Sequence, residues 1–310
     1  TEEGIEPNPG PRYVTKNISS IASLPRWERI LVDIKKEHRR RPITAIFLQE
    51  TALRKTAEHR VKASAHGFEL FAVPLCGGNT DGIWTGSPQS RPYTRGGTAI
   101  LIPKEKIELL PGETHHDATE RMRRSTKRLR DGRGISIQAI IDGRALRLAS
   151  VYAFPGSEAN KRPDFFKHDL RSFLTKKTVL GIDANCVPDP QLDVRSNAQS
   201  PYENAGADEL EDVLSHYGLV DVAREWLGDQ PFFTSHHNTS SGPTSTRIDR
   251  IYLPTLDGLS AVHEGGVHDF FARDRDAAIL DHEPAVIRTT AATGERGHDV
   301  PKIDTGVFGE

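Results

Sequence analysis

The chain has 310 residues, of which 36% are hydrophobic and 27% are charged, and its formal net charge is -2. This length allows one large domain or two modest ones, with a substantial buried core. The nearly balanced charge excludes a uniformly basic nucleic-acid-binding protein, so any phosphate-binding surface must be local.

The pattern along the chain changes near both ends. Residues 1–11 are predicted to form an extended leader without regular structure, because prolines recur there and lack the amide donor that helices and sheets need. Short apolar strands and amphipathic helices then follow, which predicts one domain over 12–290. Residues 291–310 lose this periodicity and are rich in Gly, Thr and charge, as is typical of a linker.

Most of the predicted elements are strands, and several of them alternate with period two. The predicted strands cover 13–17, 45–49, 68–73, 98–102, 135–141, 146–152, 178–183, 247–253 and 284–289. Helical spacing of apolar residues predicts helices at Trp27, Ile30, Leu31 and Ile34 behind a Ser23 cap, over 166–174, and over 210–214 with an end at Gly218. This order favours one α/β domain of two packed sheets rather than a doubly wound single sheet.

Polar residues follow or interrupt these strands at places where an apolar core would not select them. They are Asn17, Glu50, Tyr152, Asp183, Asn185, Asp249, Asp281 and His282. Each one alone is best explained as a turn or strand cap. Together they supply carboxylates, amides, an imidazole and a phenol, and we expect them to converge at one edge of the sheet pair.

The residue types suit the hydrolysis of a phosphodiester, which needs charge neutralisation and an activated water. Glu50 is a suitable ligand for Mg²⁺, a hard cation that prefers oxygen. Asp183 can orient or deprotonate the water, and Asn185 can donate to a phosphate oxygen. His282 can hold the phosphate when it is protonated, and a neighbouring Asp249 would raise its pKa and fix its orientation.

The same segments resemble motifs of the endonuclease/exonuclease/phosphatase superfamily, in the same order. The matching segments are LQET (48–51), RGGTAILI (95–102), SVYAFPG (150–156), GIDAN (181–185), TRIDRIYL (246–253) and LDHEPAV (280–286). The resemblance extends over about 12–288 and implies a four-layer α/β sandwich, two mixed sheets flanked by helices.

The resemblance also implies roles for individual residues. It implies that Glu50, Asn17 and Asp281 serve the metal, which would be Mg²⁺ or alternatively Mn²⁺. It implies that the catalytic residues are Asp183, Asn185, His282, Asp249 and Tyr152. The chain departs from the family at Lys16-Asn17, where many members have Trp-Asn, and at Ala153-Phe154, where an asparagine is usual.

The segment GIEPNPGP (4–11) resembles the 2A-type ribosome-skipping peptides that precede endonuclease domains in several non-LTR retrotransposons. The alternative is a proline-rich leader with a Pro-Gly turn. The resemblance implies a monomeric endonuclease that nicks DNA and leaves a 3′-hydroxyl primer, fused in its polyprotein to a reverse transcriptase. Other superfamily activities, such as abasic-site repair, tyrosyl-DNA phosphodiesterase or phosphatase activity, and a decayed non-catalytic DNA-binding domain stay open as alternatives.

A basic run lies within 121–133, and a polar segment covers 235–245. The run predicts contacts with the DNA backbone by Arg121, Arg123, Arg124, Lys127 and Arg128. The alternative explanation of the run is a solvated, charged loop. The polar segment lies where relatives carry a hairpin that probes the DNA groove, and its composition suits recognition of DNA shape.

The two cysteines, Cys76 and Cys186, form neither a zinc motif nor a disulfide framework. They fit a reducing compartment, so we predict a protein of the nucleus or the cytoplasm. No apolar run approaches the roughly 20 residues of a membrane helix, and a membrane is not among the predicted partners.

Overall fold

A computed structural model of the chain describes residues 9–53, 55–74, 96–196, 204–239, 242–255, 262–267 and 282–290. Its strands are β1 (Pro9–Asn17), β2 (Ala45–Gln49), β3 (Phe68–Val73), β4 (Thr98–Pro103), β5 (Lys127–Leu129), β6 (Gly134–Ile141), β7 (Arg144–Tyr152), β8 (Thr178–Asp183), β9 (Val194–Ser196), β10 (Leu219–Asp221), β11 (Ser235–Thr239), β12 (Gly242–Thr246), β13 (Asp249–Pro254), β14 (Val262–Val267) and β15 (Ala285–Thr290).

The helices are α1 (Leu24–Arg40), α2 (Ala57–Ala65), α3 (His115–Arg124), α4 (Arg162–Asp164), α5 (Arg171–Phe173), α6 (Pro190–Asp193), α7 (Ala207–Tyr217) and α8 (Val222–Leu227). Short 3₁₀ helices cover Lys104–Lys106, Arg130–Gly132 and Gly156–Lys161. Within the described ranges, no helix has both the length and the apolar character needed to cross a bilayer.

Two six-stranded sheets form the centre of the domain, in the orders β14-β15-β1-β2-β4-β3 and β10-β13-β8-β7-β6-β5. Both sheets are mixed, because β1 and β2 pair in parallel in the first sheet and β7 and β8 pair in parallel in the second. A smaller sheet has the order β11-β12-β9. The predicted pair of mixed, packed sheets is confirmed.

Three apolar clusters separate the layers. The first lies between the sheets, where Phe47 and Ile100 of one sheet belong to the same buried cluster as Ile137 and Val179 of the other. The second joins the outer face of the first sheet to α1 and α2. The third joins the outer face of the second sheet to the helices over 162–173 and to α7. Alternate strand residues point to opposite faces, so each central strand supplies both an inner and an outer layer.

The predicted helices are present, with two local differences. Ser23 precedes α1 as predicted, but its side chain makes no capping hydrogen bond, and the helix buries Trp27, Leu31 and Ile34. The predicted helix over 166–174 is instead a composite, in which a π-helical turn (Phe165–Leu170) joins α4 to α5. α7 ends at Gly218 as predicted, in the left-handed conformation with φ of 62°.

The first strand begins earlier than the sequence predicted. β1 starts at Pro9, inside the predicted leader. This early part pairs with β15 through a register shift, while pairing with β2 begins only at Tyr13. The prolines therefore occupy a stretch where one side of the strand has no ladder partner, which a residue without an amide donor tolerates. Residues 1–8 and 291–310 lie outside the described residues, so the leader and linker stay predictions.

Gly181 sets the distance between the two sheets near the end of β8. A Cβ atom at this position would lie 2.4 Å from Cγ of Phe47, which belongs to the facing sheet. Only a residue without a side chain allows this approach. This close contact between the sheets lies two residues before Asp183, the last residue of β8.

Candidate active site

The second sheet brings three of the predicted site residues to one edge. β7 and β8 run in parallel and end together, with Tyr152 in register with Asp183. β13 runs antiparallel to β8 and begins there, with Asp249 directly opposite Asp183. Because the ends of these strands coincide, the phenol and the two carboxylates project from the same rim, as we expected from the sequence.

The first sheet supplies Asn17 and Glu50 to the same rim. Asn17 ends β1 in register with Gln49, and Glu50 follows directly. The side-chain amide of Asn17 donates to Oδ2 of Asp183 over 2.9 Å, which joins the two sheets across the site. Glu50 has a φ of 52°, a left-handed value that is costly for a residue with a side chain.

His282 is held by Asp249, the partner that the sequence predicted. Its Nδ1 lies 2.7 Å from Oδ2 of Asp249, and both side chains are buried. The backbone N–H of Asp249 donates to Oγ1 of Thr234 over 3.0 Å. Burial alone would lower the pKa of His282, but the charge and hydrogen bond of Asp249, with Asp183 and Glu50, raise it to about 9. His282 is therefore protonated at neutral pH in this setting, with Nδ1 donating.

Asp183 is the most crowded carboxylate of the site. It is 1% exposed. Besides Asn17, the backbone N–H of Asn185 donates to its Oδ1 over 3.1 Å. Burial, followed by the charge of Asp249, raises the pKa of Asp183 to about 7, although His282 and the bond from Asn17 act in the opposite direction. A carboxylate with a pKa near neutrality can accept and release a proton.

Tyr152 and Asn185 contact the protein itself. The Tyr152 hydroxyl donates to Oε1 of Glu50. Burial and the nearby charges of Glu50 and Asp183 raise the pKa of Tyr152 far above its usual range, so the phenol stays protonated. The Asn185 amide donates to the carbonyl of Ala153 over 3.3 Å, and the residue has a φ of 51°. Tyr152 thus orients Glu50, and Asn185 braces the turn after β7.

The donor set fits a hard divalent cation. Ligand atoms of Asp183, Asp249 and His282 lie within 4.8 Å of one another. Oδ1 of Asp249 is buried and has no hydrogen-bond partner among the described residues, an arrangement that would be costly unless a ligand satisfies it. Carboxylate oxygens are the ligands that Mg²⁺ and Mn²⁺ prefer. The sequence placed the metal at Glu50, Asn17 and Asp281, and of these Asp281 lies outside the described residues.

The sequence did not identify a buried polar layer directly beneath the site. The side-chain amide of Gln49 donates to Oγ1 of Thr15 over 3.0 Å and to Oγ of Ser150 over 3.1 Å. The Ser150 hydroxyl donates to the carbonyl of Leu48 over 3.0 Å. All four residues are buried. The sequence signal that could have predicted this layer is the presence of polar residues at core-facing positions of apolar strands. The hydrogen bonds of the layer join the two sheets below the rim.

Two buried cations also border the site. Lys16 is 2% exposed and its ammonium donates to the carbonyl of His282 over 2.8 Å. Arg133 donates to the carbonyl of Ala153 over 3.2 Å, and its guanidinium lies 3.6 Å from the ring centroid of Phe154. Arg133 stands at the end of the basic run, but neither residue was predicted to belong to the site.

The predicted DNA-binding residues lie on elements other than those that carry the candidate site. Arg121, Arg123 and Arg124 lie on α3, and Lys127 and Arg128 lie on β5, the edge strand farthest from β10 in the second sheet. Arg121 pairs with Glu113 over 2.8 Å, and Arg123 pairs with Glu120 over 2.6 Å. Arg124, Lys127 and Arg128 are exposed. Their contact with DNA stays a prediction.

The polar segment 235–245 forms a hairpin of β11 and β12, which β9 extends to three strands. Residues 240 and 241, at its tip, lie outside the described residues. Ser235 forms an isolated bridge with His282, and the ring centroids of His237 and His282 are 6.0 Å apart. The predicted hairpin is therefore present and stands beside the candidate site.

No family model and no curated protein matches the chain in sequence. Solved structures do match it. An AP endonuclease from Leishmania major has a TM-score of 0.63 at 13% identity, covering 94% of this chain and 90% of that one. An AP endonuclease from Archaeoglobus fulgidus has a TM-score of 0.58 at 16% identity, covering 90% and 99%. The endonuclease domain of TRAS1, a telomere-specific non-LTR retrotransposon, has a TM-score of 0.52 at 16% identity, covering 90% and 98%. These structures confirm the fold that the predicted resemblance implies.

Proposed function

We propose that the chain is a metal-dependent phosphodiesterase that cleaves DNA internally. The observation that carries the proposal is the buried Asp183–Asp249–His282 cluster at the rim of both sheets. Asn17 links this cluster to the first sheet, which also brings Glu50 to the rim. A cluster that combines several acids with a protonatable imidazole serves hydrolysis better than it serves stability, because like charges crowd within it.

Glu50 and Oδ1 of Asp249 are the groups that would hold a divalent cation, either Mg²⁺ or Mn²⁺, which leaves Asp183 to accept a proton. A bound cation would neutralise the phosphoryl oxygens and promote ionisation of a water molecule. The Tyr152 hydroxyl keeps the Glu50 carboxylate oriented toward the rim. The left-handed backbone at Glu50 has the same effect, since it turns this side chain out of the strand.

Asp183 is the proton acceptor in this proposal. Bonds from Asn17 and from the Asn185 backbone fix both of its oxygens. Its raised pKa, about 7, suits a group that takes a proton from the attacking water. The water oxygen then forms a bond to phosphorus while the bond from phosphorus to the leaving O3′ breaks, and O3′ takes a proton from solvent to become the hydroxyl.

His282 stabilises the negative charge that develops on the phosphoryl group. Its Nδ1 is committed to Asp249, which leaves Nε2–H to donate to a phosphate oxygen. The ion pair with Asp249 keeps the imidazole charged and fixes the ring. This charge is useful because a phosphodiester carries its full negative charge into the transition state.

DNA is the proposed substrate class. The similar solved structures include AP endonucleases, and one neighbour is titled a complex of TDP2 with a single-strand DNA product.

A finer proposal is that the chain nicks target DNA to leave a 3′-hydroxyl primer, and that its polyprotein includes a reverse transcriptase. The likeness to the TRAS1 domain and the Asn-Pro-Gly-Pro segment support this finer proposal. Arg124, Lys127 and Arg128 are the exposed cations proposed to contact the DNA backbone.

Supercoiled plasmid provides the test. The purified chain is incubated with plasmid in Mg²⁺ and in EDTA, beside His282→Ala and the matched control His216→Ala, an exposed histidine on α7. We expect open circles with the wild type and with His216→Ala in Mg²⁺ only. Absence of nicking in Mg²⁺ and in Mn²⁺ would contradict the proposal.

A panel of substrates separates the alternatives. Cleavage confined to abasic-site DNA, or release of phosphate from inositol phosphates, would assign the site to another activity of the same fold. Retention of labelled DNA without cleavage would indicate a binding domain. Each of these outcomes contradicts endonuclease action on undamaged DNA.

A further inference from the structure

Lys16 is a buried cation that the proposed chemistry does not use. It is 2% exposed, although burying an ammonium group is costly and an apolar side chain of similar length would fill the space. Its Nζ donates to the carbonyl oxygen of His282 over 2.8 Å, across a sequence separation of 266 residues. The bond therefore ties the strand that carries Asn17 to the segment that carries the imidazole.

The register of the first sheet explains why a side chain makes this link. β1 and β15 pair as antiparallel strands up to Thr15 opposite Ala285. Continued pairing would place Lys16 opposite Pro284, which has no amide N–H to donate. The backbone hydrogen bonds between β1 and β15 end at that point. The Lys16 ammonium makes the next link, to the carbonyl oxygen of His282, two residues before Pro284.

His282 is held at several other points on its own side of the site. Its ring bonds Asp249 over 2.7 Å, and the backbone N–H of Glu283 donates to the carbonyl of Thr234 over 2.6 Å. These contacts fix His282 to the second sheet and to the hairpin. The bond from Lys16 fixes the same residue to the first sheet, next to the Asn17 amide that holds Asp183.

We propose that Lys16 is a positioning residue that holds the His282 backbone in place relative to Asn17 and Asp183. This inference rests on the proposed function for its kinetic consequences, but its structural consequence is independent of any substrate. The imidazole must stay within about 0.5 Å of its working position, and one missing tether changes that position.

The test compares Lys16→Met, Lys16→Gln and Lys16→Arg with Arg12→Met. Arg12 is a matched control, because it is a fully buried cation on the same strand that donates to the carbonyl of Arg41 over 3.1 Å, toward the other end of β1. We expect Lys16→Met and Lys16→Gln to lower kcat for plasmid nicking roughly ten- to hundredfold with little change in KM. We expect Lys16→Arg to recover most of the rate. Arg12→Met should lose thermal stability but keep the wild-type kcat.

A second readout needs no activity. The Nδ1–H proton of His282, bonded to Asp249, gives a downfield NMR signal that His282→Gln identifies by its loss. This signal should shift or broaden in Lys16→Met and stay unchanged in Arg12→Met. An unchanged signal in folded Lys16→Met, or an equal change in Arg12→Met, would overturn the inference. If Lys16→Met does not fold, Lys16→Gln decides by the same criteria. A wild type without nicking activity would contradict the proposed function, while the NMR comparison would still decide the role of Lys16.

Discussion

Two clusters of buried charged residues lie on either side of Ile248, and they differ in how their charges are paired. The first centres on Arg247, whose guanidinium bonds Asp193 over 2.7 and 3.1 Å and Asp221 over 2.5 Å. Arg224 adds a second guanidinium to Asp193. Each buried carboxylate of this Arg247 cluster therefore faces a cation. These ion pairs join α6, β10 and α8 to the segment that directly precedes β13.

The second cluster, Asp183–Asp249–His282, collects charges of like sign. Asp249 stands directly opposite Asp183, and in the part of the chain that the structure describes one oxygen of Asp249 has no hydrogen-bond partner. Within this cluster, the imidazole of His282 pairs with Asp249. The contrast appears in the pKa values, since that of Asp183 is raised to about 7 while that of Asp193 is lowered.

This difference separates a structural use of buried charge from a chemical one. A paired network resists unfolding and offers nothing to a ligand. A crowded cluster with an unsatisfied oxygen costs stability and keeps its groups ready for a cation and a phosphate. The two clusters can be tested against each other, because similar substitutions should have opposite effects in them.

The largest expected effect is on catalysis. Glu50→Ala and His282→Ala should each lower the nicking rate by roughly 10²–10⁴-fold, because each removes a group that acts on the reacting phosphate or its metal. The midpoint of thermal unfolding should stay near that of the wild type. Plasmid nicking and circular dichroism on the same preparations check both statements, and full activity in either variant would remove that residue from the site.

The next effect is on stability. Arg247→Met leaves the buried carboxylate of Asp193 and the partly buried carboxylate of Asp221 without their shared cation, and should lower the free energy of unfolding by about 3–5 kcal/mol. Arg224→Met, which removes a half-buried partner of Asp193, should cost clearly less. Urea unfolding measures both, and equal losses would contradict the central place of Arg247.

Metal should act on one cluster only. Saturating Mg²⁺ stabilises a protein that binds it when folded, by about 2.7 kcal/mol at a hundred times the dissociation constant. We expect Mg²⁺ to raise the unfolding temperature of the wild type and of Arg224→Met, and to have a much smaller effect on Glu50→Ala. A thermal shift series with EDTA as reference would reveal the opposite case, an equal shift in all three proteins.

The smallest expected effect is the pH dependence that Asp193 gives to the free energy of unfolding. Burial would raise its pKa, but the bonds and charges of Arg247, followed by Arg224, lower it below the ordinary value. A lowered folded-state pKa gives stability that is present above the unfolded value, about 3.9, and is lost as the pH falls through the folded value. The stability difference between the wild type and Asp193→Asn should therefore narrow below about pH 4. Urea titrations at several pH values measure it, and a constant difference would contradict this ion pair.

Local sequence patterns predicted much of the fold. The apolar segments predicted the observed bounds of β2, β3 and β8, because these strands are mostly buried and end either at a polar residue or, for β3, before Pro74. The same pattern failed at β13, which begins at Asp249 rather than at Arg247. The Arg247 N–H donates to the carbonyl of Asp193, a contact that the local sequence does not contain.

In the candidate site too, local sequence patterns predicted some features, while others depend on tertiary contacts. The meeting of Asn17, Glu50, Asp183, Asp249 and His282 at one rim was predictable, because each lies at or close to a strand end, while their catalytic roles stay predictions. The link from Lys16 to His282 was not predictable, since it depends on where the β1–β15 ladder ends. The ion pairs of Arg121 and Arg123 with Glu113 and Glu120 were also missed, because composition alone does not reveal which basic residues are already paired.

The most direct test places the same substitution in each cluster. Asp183→Asn and Asp193→Asn both replace a buried carboxylate by an amide, and each is assayed for nicking of supercoiled plasmid in Mg²⁺ below its unfolding temperature. We predict that Asp183→Asn is as stable as the wild type and inactive, and that Asp193→Asn is less stable and active. Nicking by Asp183→Asn at the wild-type rate would contradict the assignment of this cluster as the catalytic centre.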